Sequence, residues 1–231
     1  MNKLGYDPLE ALIQKGLQPI PAEDVQDWLE KDAIVLDTRH ATQFTQGFIP
    51  GSISIGLEGR FAEWAGSLLP FDKALVLVTA PGMEQESIVR LARVGFSNFA
   101  GTVQGGFESY QNSGLPIDLI IDVEADELAM DIPFDPNLLI LDVRKPTEYG
   151  GGHIKDAHNL PLIDLTDPGT MADFEDTQNI YVHCAGGYRS VIATSILKKQ
   201  GIHNVRNVLG GWGSIQKTEG FTIEKEAEVL N

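Results

Sequence analysis

The only cysteine of the chain, Cys184, lies where an apolar run gives way to a glycine-containing loop that reads CAGGYR from Cys184 to Arg189. Gly186 and Gly187 allow the backbone to curl so that several N–H groups converge on one point. A helix predicted to begin near Arg189 adds its partial positive charge at the same place. Such surroundings stabilise a thiolate or another anionic sulfur species, which makes Cys184 a candidate nucleophile.

A single cysteine at the end of an apolar strand is, taken alone, more often a small buried hydrophobic residue. The loop after Cys184 changes that expectation. Two adjacent glycines followed by a tyrosine and an arginine have no evident packing role between a strand and a helix. The sequence therefore favours a catalytic interpretation of this thiol.

Short apolar strands and a helix are predicted on either side of the loop. Residues 138–142 and 179–183 are β-rich runs bounded by polar turns, which is typical of buried strands in a parallel sheet. Residues 189–200 form a predicted helix with one apolar face, two lysines at its negative end and Gly201 as a left-handed stop. A strand-to-helix crossover of this kind lies at the carboxyl edge of the sheet, where α/β proteins place ligands.

The chain contains an internal repeat with an offset of 105 residues, since residues 34–39 (IVLDTR) match residues 139–144 (LILDVR). A period this long indicates a duplicated domain rather than a solenoid. Turn-forming residues at 113–116 mark the joint between the copies. We predict an α/β fold in which each copy is a mainly parallel sheet flanked by helices. The two predicted domains are residues 1–115 and 116–231.

Composition and charge exclude several classes of function. The 231 residues carry a formal net charge of −16 with no balancing basic patch, so neither a nucleic-acid partner nor an anionic membrane is expected. No run is long and apolar enough for a membrane span. One cysteine and five histidines without metal-binding spacing predict no disulfide, no metal and no cofactor. A lone thiol favours a reducing, cytoplasmic compartment.

These motifs resemble those of the rhodanese-like sulfurtransferases over nearly the whole chain, once per copy. The matching positions in the second copy are Asp142-Val-Arg144, Glu148-Tyr149, Gly152-His153-Ile154, Ala157, Asn159, Pro161, Cys184 to Arg189 with Ser190, and Gly210-Gly211-Trp212. The first copy repeats several of them, including a Gly-Gly-aromatic triplet at 105–107. Together the motifs are specific, whereas each one alone is weak.

The resemblance implies a sulfurtransferase in which Cys184 is the nucleophile. Its thiol would take a sulfane sulfur from thiosulfate or a low-molecular-weight persulfide and pass it, through an enzyme persulfide, to a thiol or cyanide. Arg189 would either bind an anionic substrate through the parallel N–H groups of its planar guanidinium or stabilise the conformation of the loop. The residues implied to cradle the sulfur are Ala185, Gly186, Gly187, Tyr188 and Arg189.

Other polar residues near the motif are interpreted as structural support. An aspartate at a strand end, followed by an arginine and a glutamate, indicates an ion-pair network that positions the loop. These supporting residues are Asp142, Arg144, Glu148 and Ser190. His183 precedes Cys184 in an extended strand, so its side chain points to the opposite face and is poorly placed for a general base.

The first copy departs from the catalytic pattern. Thr79 stands where the second copy has its cysteine, and no arginine closes the loop. Glu84 and Glu86 would repel an anion, and nothing nearby activates the threonine. We predict a non-catalytic domain with a structural or docking role.

Two rival functions remain beside sulfur transfer. A cysteine phosphatase or arsenate reductase also uses a cysteine, an N–H cradle and an arginine, but it generally has a longer loop than the four residues between Cys184 and Arg189. A partner-binding module without catalysis is the other rival, and the intact loop argues against it.

A second, narrower resemblance concerns the context of the domains. The region after the catalytic domain in metallo-β-lactamase–rhodanese fusions is similar to residues 2–6 through 16–19 and to residues 47–53 of this chain. Those fusion proteins resemble persulfide dioxygenases. The resemblance implies that the chain is the rhodanese half of such a fusion, with a fused or associated metallo-β-lactamase-fold domain as partner.

Overall fold

The chain divides into two compact units, Met1–Leu119 and Ile120–Asn231. The computed structural model describes residues 8–167, 169–170, 174–175 and 177–226. The division falls after Leu119, whereas the predicted boundary falls after residue 115. An antiparallel bridge between Phe48 and Asp118 keeps the intervening residues with the first unit. Residues 2–6 of the fusion resemblance lie outside the described residues.

The first unit alternates helices with short strands. Its helices are α1 (Leu9–Gly16), a 3-10 turn (Ala22–Asp24), α2 (Val25–Glu30), α3 (Ala41–Gln46), α4 (Phe61–Leu68), α5 (Glu84–Arg93) and α6 (Gly106–Asn112). Its strands are β1 (Pro19–Ile20), β2 (Ile34–Asp37), β3 (Ile53–Ser54), β4 (Leu75–Val78) and β5 (Phe99–Val103).

The second unit follows a similar order but begins with a strand. Its strands are β6 (Ile121–Val123), β7 (Leu138–Asp142), β8 (His153–Ile154), β9 (His158–Asn159), β10 (Asn179–His183), β11 (Val205–Val208) and β12 (Ile223–Glu224). Its helices are α7 (Ala125–Asp131), α8 (Pro146–Gly150), a 3-10 helix (Leu162–Thr166), α9 (Tyr188–Lys199) and α10 (Gly211–Ile215). The strands predicted at 138–142 and 179–183 have the predicted bounds.

Each unit contains one parallel five-stranded sheet with the same topology. The strand order is β1-β5-β4-β2-β3 in the first unit and β6-β11-β10-β7-β9 in the second. Asp37 pairs with Val78, and Asp142 pairs with His183, so the register of the central strands keeps the 105-residue offset. An antiparallel pair, β8 with β12, is added in the second unit. The predicted α/β fold with two mainly parallel sheets is confirmed.

Apolar side chains from neighbouring strands form the core of each unit. In the first, the core includes the buried valines Val35, Val76 and Val103. In the second, Ile140 and Val208 belong to the corresponding cluster. Because parallel strands covered by helices on both faces are buried on both sides, β2, β4 and β7 consist of nearly continuous Val, Ile and Leu.

Helix α9 follows the loop that begins at Cys184 and is buried on nearly all sides. The prediction of a single apolar face is wrong, because every residue from Ser190 to Leu197 is buried. The helix packs on β10, β11 and the 3-10 helix Leu162–Thr166. Its small polar side chains tolerate burial because they bond within the helix: Thr194 Oγ1 donates to Val191 O at 3.0 Å. Gly201, at φ +95°, ends the helix as predicted.

Candidate active site

Cys184 lies directly after β10, at the carboxyl end of a central strand. Its side chain is buried, with 1% of the residue exposed. The N–H of Gly187 donates to Cys184 Sγ at 3.2 Å. Helix α9 begins at Tyr188, so the positive end of a 12-residue helix adjoins the sulfur. The thiol therefore lies where a backbone donor and a helix terminus both favour a negative charge on sulfur.

Ser190 lies on the other side of the sulfur. Its Oγ donates to Gly187 O at 3.0 Å and is 3.7 Å from Cys184 Sγ, within reach of a weak S–H···O bond. The hydroxyl thus joins the loop to the first turn of α9 beneath the thiol. The structural role of Ser190 stays a prediction.

The two loop glycines have different conformations. Gly187 has φ +103°, which side chains other than glycine rarely adopt, and it forms the N-cap of α9. Gly186 lies outside the left-handed region, and a Cβ added there would have open space. The expectation that both glycines are needed for the curl is therefore wrong for Gly186. Ala185 and Gly186 form the exposed part of the loop, and Tyr188 is half-buried.

The segment after β11 holds the loop from behind. The N–H of Trp212 donates to Cys184 O at 2.7 Å, and that of Gly213 donates to Ala185 O at 3.0 Å. Gly211 has φ +52°, and a Cβ on it would stand 2.4 Å from Cys184 O. Only glycine fits this contact. The sequence showed the repeated Gly-Gly-aromatic triplet, but it did not show what the triplet touches.

Asp142 and Arg144 form a buried ion pair below the loop. Arg144 donates through Nε at 2.9 Å and through a terminal nitrogen at 2.6 Å to the Asp142 carboxylate, and it also donates to Gly152 O. The guanidinium lies 4.3 Å from the centre of the Trp212 ring. The pair therefore acts on the loop through Trp212, whose N–H holds Cys184 O.

The same ion pair exists in the first unit, which has no cysteine. Arg39 donates to Asp37 at 2.9 and 2.6 Å and to Gly47 O at 2.9 Å, and its guanidinium lies 4.1 Å from the Phe107 ring centre. Because the arrangement persists without the thiol, it belongs to the framework of both units.

Glu148 pairs with Arg189. The two terminal nitrogens of Arg189 donate to the two Glu148 oxygens at 2.7 and 2.8 Å, and the Lys145 N–H donates to the same carboxylate. Hydrogen bonding from Arg189 lowers the pKa of Glu148 to about 2, so the group is ionised at neutral pH. The sequence grouped Glu148 with Asp142 and Arg144 in an ion-pair network that positions the loop, and its hydrogen-bonding partner in the structure is Arg189 of the loop itself.

His183 is buried under the loop as a neutral imidazole. Burial lowers its pKa, although the Asp142 carboxylate, 3.7 Å from Nε2, opposes the shift. The ring lies beside Trp212, with centroids 6.4 Å apart. It is therefore part of the packing behind the loop.

The first unit has the same strand and turn, but there a side chain of the unit itself accepts the hydrogen bond of the corresponding loop N–H. Thr79 is buried, and Gly82 has φ +81°. The Gly82 N–H, which corresponds to the Gly187 N–H at the 105-residue offset, donates to Glu84 Oε1 at 3.2 Å. In the first unit, therefore, the N–H that corresponds to the sulfur-contacting N–H of Gly187 is already bonded to the carboxylate of Glu84.

Among the described residues, no group of three or more His, Cys, Asp or Glu side chains is arranged to hold a metal ion. No helix in the same ranges is both long and apolar enough to cross a bilayer.

A family model, the rhodanese-like domain, matches the chain twice, over residues 21–113 and 124–218. The two matches cover more than half of the 231 residues. The chain therefore belongs to the rhodanese-like domain family, with one copy of the domain in each unit.

Several curated relatives are named as sulfurtransferases. A putative mitochondrial thiosulfate sulfurtransferase of Schizosaccharomyces pombe is 33% identical over 91 residues, which are 34% of this chain and 63% of the relative. A sulfurtransferase of Allochromatium vinosum is 28% identical over 93 residues, 40% of this chain and 85% of the relative. The chain spans less than two thirds of the Schizosaccharomyces protein and 60% of a Bacillus subtilis relative.

Solved structures of the family are similar to one or both units. The rhodanese-like domain of an Anabaena protein matches with a TM-score of 0.42 and 29% identity, covering 48% of this chain and 83% of that one. The thiosulfate sulfurtransferase of Pseudomonas aeruginosa matches with a TM-score of 0.42 and 20% identity, covering 90% of this chain and 44% of that one.

Proposed function

We propose that the second unit is a sulfurtransferase that moves a sulfane sulfur from thiosulfate or a low-molecular-weight persulfide to a thiophilic acceptor through a Cys184 persulfide. One observation carries the proposal: the Gly187 N–H donates to Cys184 Sγ at the N-terminus of α9. A donor fixed there stabilises negative charge on the thiolate and on the persulfide without reorganising during the reaction.

The first half-reaction is a displacement on sulfur. Cys184 Sγ attacks the sulfane sulfur of thiosulfate, the new S–S bond forms, the donor S–S bond breaks, and sulfite leaves with the bonding electron pair. The thiol proton goes to the sulfite, so one thiol and one thiosulfate dianion give a persulfide anion and hydrogen sulfite. In the second half-reaction a thiol or cyanide attacks the outer sulfur and releases the Cys184 thiolate.

Mass spectrometry of the intact chain tests this proposal. After exposure to thiosulfate or glutathione persulfide, the protein should gain the mass of one sulfur, and cyanide should remove it with formation of thiocyanate. Cys184→Ser should abolish both steps while the circular dichroism spectrum is unchanged. Sulfur transfer by the serine variant, or no loading of the unmodified chain by either donor, would contradict the proposal.

We further propose that the first unit is non-catalytic. Thr79 replaces the nucleophile, and the Glu84 carboxylate already accepts the N–H of Gly82. Because this N–H is already bonded to a carboxylate of the same unit, it is not available to stabilise an external anionic sulfur. Digestion of sulfur-loaded protein into peptides should place all added sulfur on the peptide that contains residue 184.

The narrower resemblance leads to a proposal about cellular context. We propose that the chain works in the cytoplasm with a fused or associated metallo-β-lactamase-fold persulfide dioxygenase. The lone thiol favours a reducing compartment, and both proteins would share persulfide substrates. Analytical ultracentrifugation of the two purified proteins and cell fractionation test the two parts, and separate sedimentation or a periplasmic location would contradict them.

A further inference from the structure

His183 is a buried polar side chain that the sulfur-transfer chemistry does not use. It is fully buried, and its Nε2 has no hydrogen-bond partner among the described residues. A buried polar atom without a partner lowers stability, so its presence calls for a physical reason. In the first unit the position at the 105-residue offset holds Val78, which is equally buried. The fold therefore accepts an apolar side chain at this position of the strand.

The surroundings of the two positions are otherwise alike. Each unit has an aspartate–arginine pair at the end of the neighbouring strand and an aromatic ring beside the guanidinium. The valine precedes Thr79, whereas the histidine precedes Cys184. Because the shared framework forms with either side chain, the histidine is associated with the thiol and not with the framework.

The imidazole of His183 contacts the backbone of the next residue. Its Nδ1 lies 3.4 Å from Cys184 O, and the same oxygen accepts the Trp212 N–H at 2.7 Å. The carbonyl that begins the loop is thus approached by two nitrogen atoms from the side of Trp212.

Only one neutral tautomer of His183 can donate to this oxygen. With the proton on Nδ1, the ring donates to Cys184 O, and Nε2 carries a lone pair. With the proton on Nε2, a lone pair on Nδ1 would face the carbonyl oxygen, and the N–H would be directed at an Asp142 carboxylate 3.7 Å away, beyond hydrogen-bond distance. Both oxygens of that carboxylate already accept from Arg144, whose charge compensates it. The geometry therefore favours the tautomer with its proton on Nδ1.

The position of Cys184 O sets the direction of the next N–H in the chain. The peptide bond is planar and trans, so the Ala185 N–H points opposite to Cys184 O. Donors that hold this oxygen on the side of Trp212 therefore direct the Ala185 N–H away from that ring. Since Ala185 is exposed, this N–H belongs to the part of the loop that a sulfur donor can reach.

We propose that His183, with its proton on Nδ1, is a positioning residue for sulfur transfer that fixes the peptide between Cys184 and Ala185. This inference rests on the proposed sulfurtransferase function of Cys184. His183 does not act on the sulfur itself, because consecutive side chains of a strand point to opposite faces. It acts through the backbone oxygen of Cys184, so the reaction depends on donation by Nδ1 and not on the basicity of the ring.

NMR spectroscopy of the unmodified chain tests the tautomer directly. A long-range ¹H–¹⁵N correlation spectrum at neutral pH distinguishes the two ring nitrogens of each histidine, and the signals of His183 are identified by their loss in His183→Asn or His183→Val. We expect the proton on Nδ1 and a lone pair on Nε2. A proton on Nε2, or on both nitrogens, would overturn the proposal whatever the rate of sulfur transfer.

Two substitutions of His183 separate positioning from packing. His183→Val installs the side chain of the first unit and removes the donor together with the unpaired polar atom. Loading of Cys184 from glutathione persulfide should slow about fivefold, the factor that corresponds to one lost neutral hydrogen bond, while resistance to urea stays equal or rises. His183→Asn keeps a donor near the position of Nδ1 and should restore most of the rate.

Tyr181→Phe is the matched control. Tyr181 lies two residues earlier on the same face of β10, and its hydroxyl donates to Asp131 at 2.6 Å. Loss of this bond should lower the resistance to urea and leave the loading rate unchanged. The proposal is overturned if His183→Val loads at the unmodified rate, if His183→Asn is as slow as His183→Val, or if Tyr181→Phe slows loading equally. Absence of loading in the unmodified chain would refute the proposed function instead.

Discussion

Replacing Gly187 with alanine perturbs the donor that the site depends on and leaves the rest of the loop unchanged. At φ +103° an added Cβ meets only Gly210 N, at 3.9 Å, so the substitution introduces backbone strain without a clash. Holding a residue other than glycine in such a conformation costs about 1–3 kcal/mol. The loop can release this strain only by rotating the peptide that carries the N–H contacting Sγ.

The two responses to Gly187→Ala have different signatures. If the conformation persists, the free energy of unfolding falls by about 1–3 kcal/mol and sulfur loading is preserved. If the loop relaxes, stability recovers, the N–H moves away from Sγ, and loading slows by about a hundredfold for an ångström-scale shift. We expect relaxation to dominate, because Ala185 and Gly186 are exposed and the bonds from Trp212 and Gly213 hold the carbonyls of Cys184 and Ala185 rather than the peptide that carries the Gly187 N–H. Urea denaturation and the loading rate with glutathione persulfide measure the two effects.

Two other glycines, one beside Gly187 and one at the corresponding position of the first unit, provide matched controls. Gly186→Ala adds a Cβ in open space outside the left-handed region, and should change stability by less than about 0.5 kcal/mol with little effect on loading. Gly82→Ala imposes similar strain at φ +81° in the first unit and should leave the loading rate unchanged. If Gly186→Ala slows loading more than Gly187→Ala does, the assignment of the sulfur-stabilising donor to Gly187 is refuted.

Three further predictions concern the support of the loop, the first unit and the ion pair. Gly211→Ala places a Cβ 2.4 Å from the carbonyl oxygen of Cys184 and should reduce sulfur loading at least tenfold. Gly213→Ala, whose Cβ would lie 3.6 Å from Ala185 O, should be tolerated, and equal effects of the two substitutions in the loading assay would contradict this reasoning. Thr79→Cys alone should not accept sulfur, whereas Thr79→Cys with Glu84→Ala removes the acceptor of the Gly82 N–H and should load measurably by peptide mass spectrometry. Equal loading of both variants would show that the carboxylate does not block the loop. The pKa of Glu148 falls from its ordinary 4.5 to about 2, so the contribution of the ionised carboxylate to the free energy of unfolding is fully present above about pH 4.5 and is lost as the pH falls through 2. Chemical denaturation should therefore show Glu148→Gln less stable than the unmodified chain at pH 6 and equally stable near pH 2.

Local sequence determined the elements and their order. Short β-rich runs bounded by polar turns place β7 and β10 at the predicted residues, and Gly201 ends α9 where expected, because these features depend on neighbours in the chain. The 105-residue offset determined that two units share one topology. The position of Cys184 at a strand-to-helix crossover followed from the same pattern, since carboxyl ends of parallel strands share one edge.

Tertiary structure alone decided which groups meet at the site. Glu148 and Arg189 are 41 residues apart, and only the pairing of β7 with β10 brings the segments that follow these strands together. The sequence grouped Glu148 with Arg144, its neighbour along the chain, because spacing does not reveal a partner on another strand. The close contact of Gly211 with the backbone of Cys184 likewise exists only once β11 lies beside β10. Sequence periodicity specifies which face or edge a residue occupies, whereas the partner of a charged side chain depends on strand order and on the path of loops distant in the chain.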